Sequence, residues 1–84
     1  MKHIEYKTKG TCSQMIFFKI EDGRVYGVEF LGGCNGNLQG IGTLVEGMPV
    51  DEVITRLENI HCGAKPTSCP DQLANALKKA KEEL

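Results

Sequence analysis

Two hydrophobic periods divide this chain, and together they decide what it can fold into. Cys12, Gln14, Ile16, Phe18 and Ile20 occur at every second position, as do Arg24, Tyr26, Val28 and Phe30. A two-residue period belongs to extended strands. Glu21-Asp22-Gly23 separates the two runs and supplies a turn. Upstream, Ile4, Tyr6 and Thr8 alternate with His3, Glu5, Lys7 and Lys9, the pattern of a short edge strand dressed with charge. Beyond Asn35-Gly36-Asn37 the spacing becomes helical. Leu38, Ile41, Leu44 and Val45 precede Gly47, and Val50, Val53, Ile54, Leu57 and Ile60 follow Pro49. Pro70 suits the first position of a third helix, with Leu73, Ala74, Leu77 and Ala80 facing inward. Strands followed by helices predict an α+β fold: a three-stranded antiparallel sheet, then three helices packed on one side, in one domain over residues 1–84.

The hairpin register can be proposed as well. A three-residue loop at Glu21–Gly23 pairs Ile20 with Arg24, Phe18 with Tyr26 and Ile16 with Val28, which gathers the apolar side chains on one face. A two-residue loop at Asp22-Gly23 is the alternative and mixes the faces more. Either register leaves Cys12 level with Gly32 or Gly33, and so beside Cys34.

The core of an 84-residue chain is thin, because a domain of this size hides only about 60–65% of the surface its unfolded chain exposes. A metal or a partner chain would help, and a homo-oligomer is compatible with that need. Charged residues are 25% of the chain and the net charge is −1. Near-neutrality excludes a disordered polyelectrolyte and removes the excess of Lys and Arg that duplex nucleic-acid binding needs. No apolar run approaches the ~20 residues of a membrane span. The polar start, Met1-Lys2-His3-Ile4-Glu5, lacks the apolar stretch of a signal peptide. A cytoplasmic location is therefore expected, where thiols serve metal binding or redox chemistry more often than structural disulfides.

The four cysteines are Cys12, Cys34, Cys62 and Cys69. No two of them form a Cys-x-x-Cys pair, so the usual zinc-ribbon pattern is absent. Their placement is more informative. Cys34 sits in Gly32-Gly33-Cys34-Asn35-Gly36-Asn37, after a strand and at a helix entrance. Cys69 precedes Pro70 and is expected at the N-cap of the last helix, and Cys62, next to His61, at the end of the second. Helix N-terminal amides favour a thiolate, the form that both metal binding and thiol exchange require. Gly32, Gly33, Asn35 and Asn37 are the candidate residues around a bound group, since glycines allow close backbone approach. No Gly-Lys-Ser/Thr follows, so this is not a phosphate-binding loop. Against these readings stands a plainer one, in which each cysteine is a small buried hydrophobe.

Thr67-Ser68-Cys69-Pro70-Asp71 carries a resemblance. With Gly10-Thr11-Cys12-Ser13, Phe30-Leu31-Gly32-Gly33-Cys34-Asn35-Gly36-Asn37 and Cys62-Gly63, it resembles the TSCPD domain over most of the chain, from Tyr6 to Ala80. That family includes free-standing small proteins and a C-terminal module of adenosylcobalamin-dependent (class II) ribonucleotide reductases. The resemblance implies a link to deoxyribonucleotide supply, with a ribonucleotide reductase or a redox protein as partner. Transfer of the whole activity would name a ribonucleoside-diphosphate reductase, but 84 residues cannot contain that enzyme's barrel. A weaker architectural likeness is to iron–sulfur assembly scaffolds of the NifU/IscU type, whose Gly-Cys loop and cysteine beside the last helix correspond to Cys34 and Cys69. The expectation that follows is a cysteine-centred module in which Cys12, Cys34, Cys62 and Cys69 hold zinc or an iron–sulfur cluster. The alternatives are a metal-free thiol–disulfide module using Cys62 and Cys69, or a nucleotide- or partner-binding domain with structural cysteines.

Overall fold

The computed structural model describes residues 2–8, 13–32, 35–61, 63 and 67–83. Three strands, β1 (Lys2–Lys7), β2 (Ser13–Glu21) and β3 (Arg24–Gly32), precede three helices, α1 (Asn35–Val45), α2 (Val50–Leu57) and α3 (Cys69–Glu83). The sheet is antiparallel in the order β1-β2-β3, as the two hydrophobic periods predict. Ile16, Phe18 and Ile20 on β2 point into the core, where they meet Val53 of α2 and Leu73, Ala76, Leu77 and Ala80 of α3. Ile4 and Tyr6 of β1, paired with Phe18 and Ile16, flank this core on the same face.

The hairpin takes the tighter of the two expected turns. Glu21 pairs with Arg24 and Ile20 with Val25, leaving Asp22-Gly23 as a two-residue loop with φ of 52° and 74°. Positive φ at both central residues is the type I′ geometry, whose twist matches that of the strands it joins. The three-residue register is thereby corrected. The mixing of faces that counted against the tighter turn is removed by a bulge. Lys19 pairs with Tyr26 but Phe17 with Glu29, so Gly27 and Val28 together stand opposite Phe18. Gly27 adopts a φ of 61°, as the first residue of a glycine bulge does. The extra residue shifts the alternation by one. Val25, not Arg24, is therefore buried before the bulge, whereas Val28 and Phe30 pack on the core after it. Arg24 is exposed, and its Nη1 donates to the Gly47 carbonyl at 2.7 Å.

α1 lies against β3 and buries Leu38 and Val45, with Ile41 partly covered. Leu44, which belongs to the same apolar spacing, is 77% exposed. Six residues at 100° each place it about 240° around the helix from Leu38, whereas Val45, one further on, comes back into line. Gly42 is the point of closest approach. A Cβ there would stand 2.8 Å from the Val28 carbonyl oxygen, inside contact distance with a backbone atom that cannot swing away. Gly42→Ala is therefore expected to lower stability by about 1–3 kcal/mol, despite alanine's better helix propensity, because helix and strand must separate. Chemical denaturation would show this as a lower midpoint at unchanged slope.

The chain then seals the start of β3. Gly47 N donates to Val25 O at 2.7 Å, Val25 N to Met48 O at 3.0 Å, and Val50 N to Gly23 O at 2.9 Å. Gly27 N donates to the Glu46 carboxylate at 2.8 Å. α2 begins here and runs antiparallel to α3, with Asp51 paired to Lys81 and Glu58 to Lys78. It is shorter than the apolar period suggests. Leu57 ends it, and Ile60 is 41% exposed beyond the helix. Glu58 turns to an extended backbone (φ −65°, ψ 148°) that stops the helix, and Asn59 follows with a left-handed φ of 64°. α2 thus ends five residues before Cys62, which itself lies outside the described residues.

Candidate functional site

The two ends of the molecule differ. At one end are the Asp22-Gly23 turn, the start of α2 and, through the Lys81–Asp51 pair, the last turns of α3. At the other, β2 begins and β3 finishes, with Ser13 paired to Gly32. α1 starts at Asn35 and returns to Val25 through Gly47, so its N-terminus belongs to this second end. α3 rises about 1.5 Å per residue, which carries its start roughly 18 Å away from Lys81. There it meets the C-terminus of α2, since Asn59 N donates to Asp71 Oδ1 at 2.7 Å.

Each cysteine belongs in sequence to one of these element ends. Cys12 precedes Ser13, Cys34 falls between Gly32 and Asn35, Cys62 lies three residues beyond Asn59, and Cys69 opens α3. Cys69 is described and is half-buried. Cys12, Cys34 and Cys62, like Gly33, lie outside the described residues, and so does the expected proximity of Cys12 to Cys34. Among the described residues no group of three or more His, Cys, Asp or Glu could hold a metal ion. Of the other expected contacts to a bound group, Gly32 has a φ of 83° and lines a cavity of about 280 Å³ with Val28, Glu29, Phe30, Leu38 and Gln39. Asn35 is the first residue of α1, and Asn37 is exposed in its first turn.

The structure adds a cluster that the sequence reading passed over. Thr67, Ser68, Asp71 and Gln72 are polar and buried, at 9, 5, 8 and 7% exposure. Ser68, not Cys69, is the N-cap of α3. Its Oγ accepts from Asp71 N at 3.2 Å and its carbonyl from Gln72 N at 2.8 Å. Cys69 is therefore the first helical residue and Pro70 the second, one place later than expected. The Asp71 carboxylate takes a hydrogen bond from Thr67 Oγ1 at 2.5 Å as well as that from Asn59 N, and Gln72 Nε2 donates to Thr67 Oγ1 at 3.0 Å. No buried side-chain nitrogen or oxygen among the described residues lacks a partner. The signal was legible as Ser68-x-x-Asp71, the spacing of a capping box.

These bonds divide the Thr67–Asp71 pentapeptide by role. Thr67, Ser68 and Asp71 build the start of α3 and fasten it to the end of α2, and Pro70 supplies a helix-compatible φ where no intrahelical N–H is needed. Cys69 is held by this frame as the first residue of α3.

No curated protein and no solved structure matches this chain. One family model does, over residues 2–81, and it takes in all three strands and almost all of α3: the chain belongs to the TSCPD-domain family.

Proposed function

We propose that this protein is a small cysteine-centred metal-binding module, taking zinc or an iron–sulfur cluster through Cys12, Cys34, Cys62 and Cys69, and that it serves as an accessory to ribonucleotide reduction. What supports the reading is that the start of β2 is paired with the end of β3, just before α1, and that the end of α2 is tied to the start of α3 by Asn59 N and Asp71, so that each cysteine borders one of two such junctions in sequence. The donor set fits the group, because four thiolates suit tetrahedral zinc or an iron–sulfur cluster. Bound zinc would cross-link the strand ends to the helix starts, and a cluster would add electron transfer. Membership of the TSCPD-domain family supports the connection to ribonucleotide reduction.

Metal analysis of untagged protein, purified under reducing and oxygen-free conditions, tests this. The expected result is one zinc per chain or iron with acid-labile sulfide, lost in each of Cys12→Ser, Cys34→Ser, Cys62→Ser and Cys69→Ser, because removal of one thiolate opens a closed coordination shell. Protein that is metal-free and takes up neither zinc nor iron would overturn the reading. A reversible Cys62–Cys69 disulfide in such protein would establish the thiol–disulfide alternative.

A further inference from the structure

The two edges of the sheet are finished differently. Along β3, Val25 donates its N–H to Met48 O at 3.0 Å and accepts at its carbonyl from Gly47 N at 2.7 Å. Further along, Gly42 of α1 stands against the Val28 carbonyl. The chain thus closes that edge itself. β1 forms the other edge. In an antiparallel ladder the backbone groups of successive residues point to opposite sides. Those of Val25 point away from β2, so those of Ile20, which stands opposite it, point away from β3 and toward β1. Phe18 and Ile16 follow in step, and the partners of these three on β1 are Lys2, Ile4 and Tyr6. The N–H and C=O groups of His3, Glu5 and Lys7 therefore face outward, and none has a backbone partner among the described residues. Such a row on an edge strand is a template for another strand.

We propose that β1 is a self-association edge, at which two copies of this chain pair antiparallel across a two-fold axis and join their three-stranded sheets into one. The residues of the strand select the register. Core face must continue core face, so the axis passes through a residue. Only axes at Ile4 or Glu5 keep five of the six strand residues of each copy paired. An axis at Glu5 sets that carboxylate against itself and His3 against Lys7. An axis at Ile4 sets His3 against the partner's Glu5 on both sides of the two-fold, and each such pair exchanges two backbone hydrogen bonds. Both side chains are exposed, and an imidazole of either charge can donate to a carboxylate. Charges that ordinarily keep edge strands apart are thus self-complementary in this register. Ile4, half-buried at the rim of the core, packs on its symmetry mate as a close cross-strand pair. A six-residue edge is well below the roughly 20–30 residues a side of a standard interface, so the dimer is weak and concentration-dependent. The proposal is independent of the metal-binding reading.

Sedimentation and light scattering of the full-length reduced protein over a concentration series test this. The expected result is a monomer at low micromolar concentration that passes to a dimer as the concentration approaches about 1 mM. His3→Glu places like charges opposite each other twice and should weaken association at least about tenfold. Within one copy the same substitution faces Lys19, the cross-strand partner of His3, so the fold should be kept, as circular dichroism would show. The exchanged variant His3→Glu/Glu5→His restores complementary pairs and should recover association. A chain that stays monomeric at about 1 mM would overturn the proposal. So would a dimer that tolerates His3→Glu, because the copies would then meet on another surface, or one that the exchanged pair fails to restore.

Discussion

Asp71→Ala is expected to cost about 3 kcal/mol, more than any exposed charge in the molecule. The carboxylate is 8% exposed and accepts from Thr67 Oγ1 at 2.5 Å and from Asn59 N at 2.7 Å. Hydrogen bonds to a charged group contribute about 1.5–3 kcal/mol each, and the loss of one partner leaves a buried donor unsatisfied. Alanine also removes the tie between the end of α2 and the start of α3, so the two helices should loosen together. For a domain of this size each kcal/mol is worth about 4–8 °C, which makes the expected fall in melting temperature roughly 12–24 °C. Asp71→Asn should recover most of it, since the amide oxygen can still accept from Asn59 N. Asp51→Ala is the control. Asp51 also pairs across helices, with Lys81, but that pair is 73% and 57% exposed, and its removal should stay within about 1 kcal/mol. Equal effects from Asp71→Ala and Asp51→Ala in thermal melts would show that the buried cluster is not what secures α3.

The sheet-then-helices order was legible because each period is sustained over several residues. α3 was the clearest: Leu73, Ala74, Leu77 and Ala80 recur at helical spacing, and all four are buried. The errors lie where one residue changes the phase. Gly27 reads as an ordinary strand position, yet as a bulge it moves Val25 into the core in place of Arg24. Ile60 continues the period of α2 beyond Glu58 and Asn59, where an extended and then a left-handed backbone had already ended the helix. Burial strength and phase thus pull apart at turns, where a single backbone conformation outweighs the pattern around it. At the candidate site the sequence singled out Cys69 but assigned it the capping role that Ser68 performs. A cysteine beside Pro drew the inference away from the serine before it. The bond from Asn59 to Asp71 was not legible at all, because Asn59 is brought to it by the packing of α2 on α3 and not by any local pattern.

Chelation should produce the largest effect of all. The described core is small: its largest fully buried side chains are Phe18, Ile16, Leu73, Leu77, Val25 and Val53. A domain this thin has only about 3–5 kcal/mol in hand from its core alone. Structural zinc on thiolates contributes apparent binding free energies of about 10–16 kcal/mol at neutral pH, part of which appears as folding free energy. Removal of metal from the reduced protein should therefore lower the melting temperature by tens of degrees, or unfold the segments that flank the cysteines. The response should be local in origin. Amides near the Asp22-Gly23 turn, secured by Val25, Gly47, Met48 and Val50, should be the last to lose protection. Those flanking Cys34 and Cys69 should be the first. Because thiolate ligation competes with protons, binding should weaken steeply as pH falls, and zinc should leave before the isolated core melts. A melting temperature indifferent to chelator, in protein shown to have carried metal beforehand, would mean that the metal is held without cross-linking the strand ends to the helix starts. The fold would then stand on the Ser68–Asp71 cap and the sheet core alone.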